Sequence, residues 1–234
     1  MAHNKASYPL ERVEMKSKQP LILAVPKGRI LDDVGPLMAE AGIEPEQEFF
    51  DETSRRLQFT TKGGEIEIIR IRSFDTATFL AFGAAHIAIC GSDVLMEFDH
   101  SEIYSPVDLK VGVCRLSVAE PVEMAAKEDP MQWSHLRIAT KYPNVTRRYF
   151  AARGVQAECI KLNGAMELAP QLGLCRRIVD LVSSGATLRA NGLVEIETIA
   201  EVSARLAVNR AAFKTKPEQI NMWVDRFREI SLAS

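Results

Sequence analysis

The chain has 234 residues, 47% of them hydrophobic and 26% charged, with a formal net charge of −2. This is an ordinary globular composition, with enough chain for one large domain or two small ones, and its balance excludes a protein that grips nucleic acid through a basic surface. Four cysteines, Cys90, Cys114, Cys159 and Cys175, form no C-x-x-C pair and match no zinc spacing, so they read as buried thiols of a reducing cytosol.

Residues 1–19 are polar and carry no apolar core, so they read as a flexible extension and not as a signal peptide. The apolar run around Phe79 to Cys90 is too short to span a bilayer. Leu21 to Val25 is a short apolar run, the first core strand. Pro26-Lys27-Gly28-Arg29 follows, and then Ile30, Val34, Leu37, Met38 and Ala41 recur at helical spacing up to a stop at Gly42, with Pro36 leaving the helix start open. An isolated Lys-Gly-Arg reads as a solvated turn, but strand, basic glycine turn and helix in that order also suit an anion. Leu57 and Phe59 alternate with polar neighbours, Gly63-Gly64 turns the chain, and Ile66 to Ile71 returns, which predicts a hairpin. Arg72-Ser73-Phe74-Asp75 starts a helix running to about Phe82. Ala84 to Cys90 is another strand, closed by Gly91-Ser92-Asp93, where Asp93 has the position of a helix cap. His86 within that strand reads as structural.

Leu109 to Cys114 looks like a crossing into a second domain. Strands follow at 115–119, 136–140 and 156–162, with a helix carrying Val145, Tyr149 and Phe150 that stops at Gly154. Val194 to Val202 is strand-like, and 203–209 returns to the first domain. Pro217 opens a helix whose apolar face is Ile220, Trp223, Val224, Phe227 and Ile230, a face that more often packs on its own domain than on a partner. Alternating strands and helices predict an α/β class with largely parallel sheets.

The stretch from Ile178 to Gly192 organises the rest. A buried strand ends in Ser183, Ser184, Gly185, Ala186 and Thr187, a loop that exposes consecutive backbone N–H groups before a helix. Asp180 is a carboxylate inside that strand, and a carboxylate buried without partners is costly, so it belongs near the strand's end, facing a ligand. Taken alone, the stretch is also a strand, a tight Ser-Gly turn and a capped helix, because short glycine loops are common.

The longer segment removes that ambiguity. Glu167 in Met166-Glu167-Leu168-Ala169-Pro170, then Gly173-Leu174 and Asp180 through Leu193, resembles the signature of the ATP phosphoribosyltransferases, and Pro26-Lys27-Gly28-Arg29-Ile30-Leu31 extends the likeness. The resemblance covers essentially Leu21 to Ile230. It implies two lobes of periplasmic-binding-protein type with the site in the cleft between them: residues 20–113 with 205–234, and residues 114–204. It also implies the short form, without a C-terminal regulatory domain.

The implied reaction joins N1 of the adenine of ATP to C1′ of phosphoribosyl pyrophosphate, the opening step of histidine biosynthesis. N1 carries a free lone pair at neutral pH, so no strong general base is needed, and the demand falls on the departing pyrophosphate. Arg29 and Arg55 are the candidates there, with Arg56 beside the latter. Glu167 and Asp180 attend the ribose hydroxyls. The resemblance further implies substrate contacts from Lys27, Gly28, Arg72, Asp75, Gly91 and Asp93, with the 5′-phosphate on Ser183, Ser184, Gly185, Ala186 and Thr187. Mg2+ would ride mainly on substrate phosphates, with no dedicated protein ligand. The implied partner is a regulatory subunit similar to histidyl-tRNA synthetase in a hetero-oligomer, with self-association, in the cytoplasm, and without nucleic acid or membrane. A two-lobed solute-binding protein would share the cleft but not the basic turn opposite a phosphate loop. A phosphoribosyltransferase for another base would carry two adjacent acids, whereas here Asp180 is followed by Leu181.

Overall fold

A computed structural model describes residues 19–125 and 135–233. All of the predicted N-terminal extension except Gln19 lies outside the described residues. The chain begins with β1 (Leu21–Pro26) and α1 (Arg29–Glu40). Pro36 lies in the interior of α1, which forgoes the bond from its missing N–H and still runs on because Val34, Leu37 and Met38 bury one face. A 3-10 turn (Gln47–Phe50) precedes β2 (Gln58–Thr60) and β3 (Ile66–Ile71), an antiparallel hairpin as its glycine turn predicts. α2 (Ser73–Ala81), β4 (Ile87–Gly91), α3 (Ser92–Phe98) and β5 (Ile103–Asp108) follow.

The chain then crosses to β6 (Cys114–Pro121), α4 (Val122–Ala125), β7 (His135–Thr140), α5 (Pro143–Ala151), β8 (Gln156–Lys161), α6 (Leu168–Gln171), β9 (Arg177–Val182), α7 (Ala186–Ala190) and β10 (Leu193–Val202). It returns through β11 (Ala204–Asn209) and ends in α8 (Arg210–Thr215) and α9 (Pro217–Ala233).

Two sheets result. The six-stranded sheet has the order β2-β3-β1-β4-β11-β5, and the five-stranded sheet has the order β10-β6-β9-β7-β8. The predicted largely parallel sheets are in fact mixed. β1 runs parallel to β3 and β4, and β7 runs parallel to β8 and β9, but β11 is antiparallel to β4 and β5, and β6 is antiparallel to β9 and β10. The reversal has a local cause: β6 and β11 are entered by crossings from the other sheet and not through a helix of their own sheet.

The apolar face of α9 packs on the first sheet, its Ile220, Trp223, Val224, Phe227 and Ile230 joining Leu21, Leu23 and Ile68 in one buried cluster. The core of the second sheet is built on Leu116, Val118, Ile138, Tyr142, Phe150 and Val179, and Phe74 of α2 and Met96 of α3 pack against it. Apolar contact therefore joins the two lobes. His86 has the structural place expected of it. Its Nδ1 accepts the Ile22 N–H at 2.8 Å, and burial pulls the imidazole below its usual range, with Lys216 adding to the effect.

Candidate active site

Strand ends position the site. β1, β4 and β9 each lead into a helix, β1 and β9 through the short turns Lys27-Gly28 and Ser183-Ser184-Gly185 and β4 directly, and these junctions carry Lys27-Gly28-Arg29, Gly91-Ser92-Asp93 and Ser183-Ser184-Gly185. A cavity of about 230 Å³ lies between the lobes, walled by Arg29, Phe74, Asp93, Lys141, Tyr142 and Ser183 among others. The Arg29 guanidinium reaches across to Ser183, with Nη2 donating to Oγ at 3.5 Å. That contact brings the basic turn of the first lobe onto the phosphate-type loop of the second.

Loop geometry follows from its residues. Gly185 takes φ 70 and ψ 8, the left-handed region that a residue with a Cβ enters only at a cost, and it stands immediately before α7. Ser183, Ser184, Ala186 and Thr187 are exposed. Arg189 steadies the loop from below, donating to the Ser184 carbonyl at 3.1 Å.

Asp180 is half-buried in β9, opposite Ser117 of β6. Burial pushes its carboxyl above the usual carboxylate range. Glu167 and Asp93 add to the rise, while the Leu181 N–H and the Lys141 ammonium oppose it. Glu167, at the start of α6, is thus near enough to be felt by Asp180. The two acids therefore influence each other although thirteen positions separate them in the chain, and neither walls the cavity between the lobes, although Leu181 and Ser183 beside Asp180 do.

Asp93 does not cap its helix. No side chain caps α3, and the Asp93 carboxylate instead accepts the Tyr142 hydroxyl at 2.7 Å across the lobes. Burial, with the Asp93 charge behind it, pushes the Tyr142 hydroxyl far above its usual range, so it remains a donor. Gly91 permits this arrangement by close approach, because a Cβ there would lie 2.0 Å from Asp93 Oδ1.

The two adjacent arginines separate clearly. Arg56 is held by Glu46 and Glu48 at 3.0 and 2.6 Å, with its guanidinium over the Phe59 ring, so its charge is engaged within its own lobe. Arg55 is exposed in the 51–57 connection. Arg70, which sequence reasoning passed over, shapes that connection. It is buried in β3 and donates to the carbonyls of Phe49, Asp51 and Ser54. Arg70 also lines a second cavity of about 590 Å³ with Lys27, Gly28, Phe50 and Glu52. Consecutive residues of the basic turn therefore face different spaces, Lys27 and Gly28 the larger cavity and Arg29 the cleft. Arg72 and Asp75 are exposed at the start of α2 and wall neither cavity. Lys141 and Tyr142 were also missed. Lys141 sits 4.6 Å over the Phe74 ring, and the signal for both, a strand end beside β9, exists only once β7 and β9 are known to be neighbours.

A family model described as HisG: ATP phosphoribosyltransferase matches residues 72–229. An ATP phosphoribosyltransferase of Paramagnetospirillum magneticum is 65% identical over 92% of this chain and 98% of its own length. One from Rhodospirillum rubrum is 62% identical over 89% and 92%. Among solved structures, the ATP phosphoribosyl transferase (HisG:HisZ) complex from Thermotoga maritima superposes with a TM-score of 0.76 at 32% identity, over 91% of this chain and 98% of that one. The periplasmic aliphatic sulphonate binding protein SsuA of Escherichia coli superposes with a TM-score of 0.53 at 12% identity, over 92% and 73%, a likeness of fold alone.

Proposed function

Since the chain belongs to the ATP phosphoribosyltransferase family, we propose how its residues share the reaction that defines that family. The enzyme performs the first step of histidine biosynthesis, in which N1 of the adenine of ATP bonds to C1′ of phosphoribosyl pyrophosphate and pyrophosphate leaves. The N1 lone pair forms the new bond, and the electron pair of the C1′–O bond departs with the pyrophosphate.

In our reading the Ser183–Thr187 loop holds the 5′-phosphate through its backbone amides and hydroxyls. Asp180 and Glu167 accept the ribose hydroxyls and steady the positive charge that grows on the ring. Arg29, with Arg55 from the connection that Arg70 shapes, meets the charge growing on pyrophosphate, a task that suits a planar guanidinium. The single observation that carries this reading is the Arg29–Ser183 contact, which sets a cation of one lobe against the phosphate loop of the other. Mg2+, when bound, neutralises pyrophosphate charge further. In our reading that ion rides on phosphate oxygens and water, with few protein ligands.

The lobes are residues 20–113 with 205–234, and residues 114–204. The Thermotoga relative was solved as a HisG:HisZ complex, which supports a regulatory second subunit for this chain also. Our reading places the enzyme in the cytoplasm with the rest of its biosynthetic family; separately, among the described residues no helix is long and apolar enough to cross a membrane.

Single-turnover kinetics with ATP and phosphoribosyl pyrophosphate test the assignment. Arg29→Ala should slow the chemical step more than it weakens binding, and Asp180→Asn should keep the fold while turnover falls sharply. Steady single-turnover rates with only KM raised would make Arg29 a binding group, and unchanged kcat/KM in Asp180→Asn would remove it from the site.

A further inference from the structure

α5 cannot cap itself. Its N-terminal boundary residue is Tyr142, whose side chain makes no capping bond and is turned toward Asp93. Pro143, the first helical residue, has no N–H to satisfy. The next two amides are satisfied from the other lobe. Both oxygens of Glu97 in α3 accept the Asn144 N–H, at 3.0 and 2.9 Å, and Oε2 also accepts the Val145 N–H at 2.9 Å. The Asn144 side chain returns a bond to the Glu97 carbonyl at 3.2 Å. Glu97 is only 7% exposed. A buried carboxylate is retained where its oxygens are bonded, and backbone amides at a helix start are its best neutral donors. The residues just ahead of this helix start are Lys141 and Tyr142, both in the cleft wall.

We propose that Glu97 is a positioning residue for the transfer reaction: by capping α5 from the opposite lobe it holds Lys141 and Tyr142 against the Asp180 side of the cleft. The cap fixes where α5 begins, and the two residues before it inherit that position. β7 ends beside β9, with Thr140 paired to Val179, so Lys141 lies near Asp180, where its charge favours the ionised carboxyl against Glu167 and Asp93, which disfavour it. Without the cap the start of α5 relaxes, Lys141 withdraws, and Asp180 is left among acids. The inference rests on Asp180 acting in the cleft.

The test is the pH dependence of kcat for the full chain, saturated with ATP, phosphoribosyl pyrophosphate and Mg2+, in the wild type and in Glu97→Ala, Glu97→Gln and Glu97→Asp. Glu97→Ala should lower kcat about tenfold, the scale of a small misplacement in an oriented site, with a much smaller change in KM. It should also move the acidic limb to higher pH, because losing the Lys141 charge favours protonated Asp180. Glu97→Gln keeps an amide oxygen for one N–H and should restore most of both. An acidic limb that stays in place in Glu97→Ala overturns the proposal, as does a kcat that stays within twofold. If Glu97→Ala does not fold, Glu97→Asp carries the test. It keeps the charge but retracts it by one methylene, so a wild-type limb and kcat in that variant also overturn it. An acidic limb absent from the wild type, or an Asp180→Asn enzyme with full turnover, would instead refute the role of Asp180.

Discussion

Gly91→Ala shows how a single methyl group would act through the cleft. The backbone at Gly91, φ −65 and ψ 144, is open to any residue, so the effect does not arise from the main chain. It arises from Asp93, whose Oδ1 would lie 2.0 Å and Cγ 3.1 Å from the new Cβ. The Asp93 side chain must rotate away. Asp93 is 5% exposed and accepts the Tyr142 hydroxyl at 2.7 Å, so rotation breaks a buried hydrogen bond to a charged group. Such bonds contribute about 1.5–3 kcal/mol, and the adjoining cleft offers water to the displaced carboxylate, which places the expected loss near ~2 kcal/mol. Urea denaturation of Gly91→Ala, Tyr142→Phe and the double variant measures it. The two changes should couple, since both remove the same bond: Gly91→Ala should cost much less when Tyr142 is already Phe. Additivity within about 0.5 kcal/mol would refute it, as would a Gly91→Ala protein as stable as wild type.

Gly185→Val should abolish phosphoribosyl pyrophosphate binding in calorimetry while the protein stays folded. The left-handed φ of 70 costs a side-chain-bearing residue about 1–2 kcal/mol, and the nearest atom to a new Cβ, Arg189 Nη1 at 3.1 Å, belongs to a movable side chain; wild-type affinity would refute the cradle. Glu195 accepts from Arg115 at 3.0 and 2.8 Å and from Ser117 at 2.7 Å, and the Arg115 guanidinium holds its carboxyl at about 2, against 4.5 in an unperturbed chain. Because the folded value is the lower, the stabilisation is fully present above pH 4.5 and is lost as pH falls toward 2. After allowance for solvent screening of this part-exposed pair, it amounts to about 1–2 kcal/mol. Glu195→Gln should therefore flatten the acid side of the stability–pH curve, and an unchanged slope would remove Glu195 as its cause.

The elements that sequence shows clearly are those whose neighbours are local. Val34, Leu37 and Met38 mark the face of α1, the turn at Gly63-Gly64 makes the β2–β3 hairpin, and the apolar face of α9 predicts its burial. β5 is obscured by Pro106 and by exposed Tyr104 and Ser105, because the strand lies at the sheet edge and needs no apolar alternation. Strand direction in β6 and β11 is set by the crossings from the other sheet, which no pattern within the strands themselves records. The same limit governs the site. The loop from Ser183 is visible as a turn before a helix, but the separation of Arg55 from Arg56 depends on Glu46 and Glu48, and the bond between Asp93 and Tyr142 spans 49 positions. Glu97 reads as an ordinary helix residue until α5 lies against it.

The place of β11 governs the order in which the protein can assemble. This strand enters the first sheet between β4 and β5, yet it is made after every strand of the second sheet. A growing chain that has not reached residue 204 therefore holds β4 and β5 with facing edges and no strand between them. The second sheet is contiguous in sequence and can close first. The side chain of Asn209, at the end of β11, then joins the carbonyl of Leu80 across 129 positions. Such distant pairing is slow, and open strand edges invite association with other chains in the interval. The half of the molecule synthesised first is thus the half that finishes folding last.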